Sequence, residues 1–420
     1  MSYIFEKLKK SVDNVYKLMS EEDKSIIDAK IDYIIENFNS TFQNKNLVNI
    51  NSKIDYNLIE SVSCNLKNPK GFKHSEKILK KLNLEEKYIL NFQNSKIKIT
   101  VYHDKNDDKT IFNKNIKKIF VRIHNLLELY KNKQYIYFGK KKSILDFHFV
   151  FYLYSNPRRS NKNKFGKKYL EEMAHDEEKC FNVFSGQTIA DDNLIFTSRL
   201  EECIGLLTHE ALHGAGLIYI PFNGKTEKNF NIFEMVTNAF SSIIHSFLSS
   251  IEYNINIKSL LKYEFYHAIL HSARIKINTN ISIFEVMKSN SNANWNQEAL
   301  LYEYVNGRLL ILLFLNLIKK EHKYIFNNLL SLNSGWKIGD EKYEKDIIDI
   351  IDKLHKFDYL ERNKEFKTLI SIGNIHNIFY KNIKNSKVKN DNNFIQQYFL
   401  FDPLEVENKY IIPDLHGGGK

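Results

Sequence analysis

Ten residues constrain this chain more than any others: Leu207-Thr208-His209-Glu210-Ala211-Leu212-His213-Gly214-Ala215-Gly216. They place His-Glu-x-x-His in an apolar, helix-compatible setting. On an α-helix, residues four apart share a face, so His209 and His213 can point at one metal ion. Glu210, three positions before His213, can take a proton from a water that the ion polarises, without being a ligand itself. This hydrolytic proposal requires the segment to be a helix and needs one more ligand.

Two residues are candidates for that ligand. Tyr219 lies six positions after His213 and Glu234 twenty-one after it. Neutral tyrosine is a poor zinc ligand. Glu234 falls in Asn231-Ile232-Phe233-Glu234-Met235-Val236-Thr237-Asn238, on the next predicted helix, and would complete a His2Glu site for Zn2+ with an open fourth position. Asn238, one turn on, can hydrogen-bond a ligand imidazole. The bland alternative is a surface histidine pair with Glu210 in a solvent ion pair. Against it stand the strongly apolar turn Ile204–Leu207 before the motif, the two glycines after it, and the carboxylate on a following helix.

The pattern along the chain predicts an α+β fold with three parts. Residues 1–94 are expected to be mainly helical: periodicity runs over 3–38, with further helices near 56–66 and 74–90. Residues 95–250 form the expected catalytic core. There Lys96–His103 alternates as a strand, 111–131 reads as a helix, Gln134–Phe138 as a short strand, and the apolar run Leu145–Tyr154 as a central strand. Cys180–Thr188 reads as a further strand interrupted by Gly186. Ser198 and Glu201 then suggest a capping box that opens the motif helix about three turns before the motif, and Gly214 and Gly216 suggest its end. A helix is expected over 230–249. Residues 251–420 read as mainly helical, with a long apolar segment at 298–318 and a flexible Gly-rich tail. No internal repeat stands out.

The motif with Glu234 resembles the zincin metallopeptidases, in particular the gluzincin branch to which thermolysin belongs. The resemblance implies a small mixed sheet beside an active-site helix. It implies His209, His213 and Glu234 as zinc ligands and Glu210 as general base. Gluzincins often have an aspartate where this chain has Asn238. Gly216 resembles the metzincin pattern, but Tyr219 occupies that pattern's third-ligand position. A looser resemblance covers roughly residues 145–240, through Leu153-Tyr154-Ser155, Ser185-Gly186-x-Thr188, Arg199-x-Glu201-Glu202 and the motif. It is similar to uncharacterised metallopeptidases of large DNA viruses. The zincin likeness further implies that an edge strand, here Phe181–Thr188, binds extended substrate, and that a downstream His or Tyr stabilises the oxyanion. Tyr263, Tyr266, His267, His271, Tyr302 and Tyr304 are candidates, with His267 placed first. Glu202, seven residues before His209, can support the site or pair with Arg199.

Composition narrows the partners. The formal charge is +11, from 61 Lys+Arg against 50 Asp+Glu, but the basic residues are spread through a Lys-, Asn- and Ile-rich chain. No nucleic-acid motif accompanies them, so nucleic acid is an unlikely partner and a protein or peptide substrate is expected. Three cysteines, Cys64, Cys180 and Cys203, make no disulfide framework. No signal peptide or membrane span is expected; Leu309–Ile318 is too short to cross a bilayer. A cytoplasmic or virion-associated zinc endopeptidase is the leading expectation. The alternative is a non-proteolytic zinc-containing structural or host-interaction protein. The oligomeric state is left open.

Overall fold

Apolar residues that alternate along strands and recur every three to four positions along helices build a mixed sheet covered by helices. The computed structural model describes residues 12–66, 76–154, 158–160, 186–200, 202–216, 232–279, 303–321, 336–337, 349, 353, 360–385, 394–396 and 404. After a helical segment at 12–18 come α1 (Glu21–Gln43), β1 (Tyr56–Ser63), α2 (Glu76–Lys81), β2 (Leu84–Phe92), β3 (Ser95–His103) and α3 (Lys109–Tyr130). Next follow β4 (Tyr135–Tyr137), β5 (Lys140–Lys142), β6 (His148–Tyr152), β7 (Arg158–Ser160), β8 (Gly186–Ile189) and β9 (Leu194–Ser198). The motif helix α4 (Cys203–Gly214), α5 (Ile232–Tyr253), α6 (Ile257–Thr279), a π-helical turn (Glu303–Gly307) and α7 (Arg308–Glu321) come next. Beyond them lie β10 (Trp336–Lys337), α8 (Glu365–Asn385) and β11 (Phe394–Gln396).

The main sheet has the order β1-β2-β3-β6-β9-β8. β1, β2 and β3 are antiparallel neighbours, β3, β6 and β9 are parallel, and β8 returns antiparallel to β9. A parallel neighbour needs a crossover, and α3 supplies the one between β3 and β6. Its N-terminus is capped by Asp108, whose side chain accepts from the Thr110 and Ile111 amides. Phe120 of α3 meets the rings of Tyr56 and Tyr88 edge-on, at 4.4 and 5.2 Å between centroids, which seats the helix on the sheet. The architecture is therefore α+β, with a central mixed sheet flanked by helices.

The central strand expected at Leu145–Tyr154 is present as β6. The helices expected near 56–66 and 74–90 are not. β1 occupies the first, and the short α2 followed by β2 occupies the second. Leu84-Glu-Glu-Lys contains good helix formers, but Tyr88, Leu90 and Phe92 alternate into the core, and β2 pairs along its whole length with β3. Non-local pairing overrides local propensity there. Two of the segments expected as helices within 1–94 are thus strands of the sheet, while 12–18 and α1 are helical.

The capping box at Ser198 is likewise corrected. Ser198 is the last residue of β9, fully buried, and the helix begins at Cys203 with Glu202 at the cap position and no side-chain cap. The chain stays on β6 beyond the strand: the Arg199 amide donates to the Tyr152 carbonyl and that of Leu200 to Tyr154. Arg199, at φ +70°, then turns it into the helix. The motif therefore sits in the second turn of α4, not about three turns in. Residues 180–185, the tail and most of the basic loop after Arg158 lie outside the described residues. No helix among the described residues is long and apolar enough to cross a membrane.

Candidate metal centre

α4 is buried almost all round: of its twelve residues only His213 is partly exposed. Ile204, Leu207 and Leu212 are each at most 1% exposed, and each such burial contributes about 1.5–3 kcal/mol. The helix packs on β8 and β9 and against α5, with α3 touching it as well. It ends as the two glycines suggest. Gly214 is its last residue, and Gly216 takes φ +68°, a left-handed turn that favours glycine.

This packing brings three donor groups together. His209 Nε2 lies 3.1 Å from Glu234 Oε2, His213 Nε2 lies 3.6 Å from Glu234 Oε1, and the two imidazole Nε2 atoms are 3.3 Å apart. Four ligands at tetrahedral corners around zinc, with bonds of about 2.0–2.1 Å, stand about 3.3–3.4 Å from one another. The three side chains fit that spacing and could hold a metal ion. Among the described residues they are the one such group of three or more His, Cys, Asp or Glu. Glu234 lies in the first turn of α5. Burial alone would raise its carboxyl pKa, but the charges and hydrogen bonds of His213 and His209 hold it far below the ordinary range.

Glu210 lies beside this group but outside it. Burial pushes its carboxyl pKa up, against the opposing pull of His209 and His213. The Thr188 hydroxyl on β8 lies 2.9 Å from Glu210 Oε2 and 2.8 Å from the Glu210 carbonyl oxygen, within donating reach of both. β8 also passes very close: a Cβ built on Gly186 would stand 2.9 Å from Glu210 Oε1 and 3.0 Å from its Cγ. Any larger residue there would have to displace the carboxylate.

Neither His267 nor Glu202 is part of that three-donor group. His267 is fully buried on α6, its ring 5.3 Å from that of His271, in a helix that packs on α8, α1, α5 and α7. Asn238 is buried one turn beyond Glu234, and its carbonyl accepts from the Ser241 and Ser242 hydroxyls. Arg199 and Glu202 are both buried at the entry to α4, and Cys203 is a buried thiol, in no disulfide, 3.3 Å from the Thr197 hydroxyl. Tyr219 lies outside the described residues. β8 is the edge strand of the described sheet.

Two features escaped sequence reasoning. Thr188 is seen there as part of a strand, not as the partner of Glu210. A buried polar network around Arg122 touches the motif helix at Thr208. Its one local trace is a lone arginine inside the apolar run Ile119-Phe120-Val121-Arg122-Ile123.

Comparison of this chain with protein-family models, with curated proteins and with solved structures finds no match. The viral likeness of residues 145–240 gains nothing from it. The His209-Glu210-x-x-His213 helix with the distal Glu234 is consistent with a zincin-type metal site on its geometry alone.

Proposed function

We propose that this protein is a zinc-dependent endopeptidase in which His209, His213 and Glu234 bind the ion and Glu210 is the general base. The observation that carries this reading is the pairing of a three-ligand cluster at tetrahedral spacing with a buried glutamate that stands next to the cluster and is not part of it. Three protein ligands leave one position open, as a catalytic site requires and a closed structural site does not. When bound, zinc acidifies water and polarises a carbonyl.

The chain's own residues do the rest. Glu210, with proton affinity raised by burial, accepts the proton from the attacking water and returns it to the leaving amine. Thr188 holds the carboxylate in place. The outer edge of β8 offers backbone groups to an extended peptide, and Gly186 lets β8 itself lie close to Glu210. His267, buried against His271, is given no step in this reading.

The test is Glu210→Gln, assayed on an unbiased peptide library with zinc content measured alongside. Cleavage should fall by about 10²–10⁴-fold while one zinc per chain is retained. Undiminished cleavage by this variant would sink the mechanism. Zinc without any cleavage by the wild-type chain would leave the non-proteolytic alternative.

A further inference from the structure

Arg122 on α3 is 0% exposed, and each of its five N–H donors has an acceptor. Nε donates to Glu252 Oε1 at 2.8 Å, and Nη2 to Glu252 Oε2 at 2.7 Å and to Ser249 Oγ at 2.9 Å. Nη1 donates to Thr208 Oγ1 at 2.7 Å and to His245 Nδ1 at 2.8 Å. Thr208 passes its own proton to the Ile204 carbonyl at 3.0 Å. His245, Ser249 and Glu252 lie on one face of α5 at i, i+4 and i+7. Glu252 is further fixed by Asn125, one turn along from Arg122, which also makes two hydrogen bonds to the Val48 backbone.

We infer that Arg122 is a positioning residue for the metal centre, setting the register between the two helices that carry its ligands. α4 brings His209 and His213, and Thr208 is the residue directly before His209. α5 brings Glu234. Apolar packing holds helices together without direction, so on its own it tolerates small slides of one helix along another. A rigid planar fork bonded to both helices does not. Stability is a weak reason for such a group, because buried ion pairs can be replaced by apolar residues with little or no loss. A three-residue metal site, by contrast, is spoiled by a misplacement of about 1 Å.

The inference rests on the metal reading above, and its test reads metal affinity. Zinc dissociation constants are measured by competition with a chelator of known affinity, with apo circular dichroism and melting recorded for every protein. Three designs bear on Arg122: Thr208→Val, Thr208→Ser, and the charge-free pair Arg122→Met with Glu252→Met. A fourth, Lys30→Met with Glu365→Leu, removes a different buried ion pair. Thr208→Val and the Arg122/Glu252 variant should bind zinc about 10- to 100-fold more weakly, the range for groups that orient ligands. Thr208→Ser and the Lys30/Glu365 variant should bind like wild type. Wild-type affinity in both Thr208→Val and the Arg122/Glu252 variant would overturn the inference. If the double variant fails to fold, Thr208→Val decides by the same criterion, with Thr208→Ser as its rescue. A wild-type chain that binds no zinc would overturn the metal reading and this inference together; a zinc-binding wild type with unaffected variants overturns this inference alone.

Discussion

Arg122–Glu252 and Lys30–Glu365 are both buried ion pairs between helices, with side chains exposed by 0% and 0% in the first and 4% and 5% in the second. They are built from different cations. Arg122 spreads five directed hydrogen bonds over α4 and α5. Lys30 of α1 is a point charge that meets Asn316 of α7 and Glu365 of α8. Neither α1, α7 nor α8 carries a residue of the metal cluster. The chain thus places a guanidinium between the two helices that carry His209, His213 and Glu234 and an ammonium where three other helices converge. The two also differ in escape: arginine stays charged at any pH a protein survives, whereas lysine can shed its proton.

The largest expected effect comes from stranding each cation. Glu252→Ala leaves Arg122 buried without its carboxylate and should cost about 3–5 kcal/mol, the range for a broken buried pair. That cost should not change between pH 7 and pH 9.5. Glu365→Ala strands Lys30, whose pKa burial already lowers even with Glu365 beside it. The folded-state value then lies below the unfolded one, so the unfolded chain holds more protons as pH rises, and the variant gains stability toward pH 10. Urea unfolding at both pH values should show the gap from wild type closing for Glu365→Ala and staying constant for Glu252→Ala. Two gaps that move in parallel would erase the distinction between the pairs.

On the acid side the slope has the same sign, but it belongs to the wild type and not to the variant. Burial would raise the Glu365 carboxyl pKa, but its bond to Lys30 brings it below the ordinary value. Its contribution is complete above the ordinary carboxylate range and is lost as pH falls through the lowered value. The wild type should therefore lose stability more steeply than Glu365→Ala between pH 5 and pH 3. A steeper loss in the variant would show the sign to be wrong.

Thr188 sharpens the comparison from the sheet side of α4, where one hydroxyl does for Glu210 what Arg122 does for the helix. A hydrogen bond to a charged group is worth about 1.5–3 kcal/mol. Thr188→Val should therefore lower kcat by about 10- to 100-fold with zinc content unchanged, and Thr188→Ser should recover most of it. Equal loss in the Ser and Val variants would mean that packing, not the hydroxyl, is what Thr188 supplies. Gly186→Ala should act on the same carboxylate, since its methyl would arrive 2.9 Å from Oε1.

The same contrast explains what the sequence disclosed. His209, Glu210 and His213 are legible because one helical turn sets their relation, and Glu234 because it is a carboxylate on the very next helix. The β6 strand is legible from its unbroken apolar run. β1 and β2 are not, because Leu84-Glu85-Glu86-Lys87 reads as helix until β3 pairs with it. Ser198 reads as a cap because its true neighbour, Tyr152 of β6, is 46 positions away in the chain. Arg122 is illegible for the same reason, since its partners come from α4 and from the far end of α5.

The smallest effect isolates burial as the cause of all the others. Lys258 and Asp32 join α6 to α1 at 2.6 Å, against 2.7 Å between Arg122 and Glu252, yet both side chains are 49% exposed. Water and salt screen such a pair, and holding two long side chains in one geometry offsets most of what remains. Asp32→Asn should leave the thermal midpoint unchanged within error at 150 mM salt, although Lys30, two residues away on the same helix, is paired in the interior with Glu365. A clear drop in midpoint for Asp32→Asn would mean that contact geometry, and not desolvation, sets the hierarchy, and the contrast between Arg122 and Lys30 would have to be rebuilt on that basis.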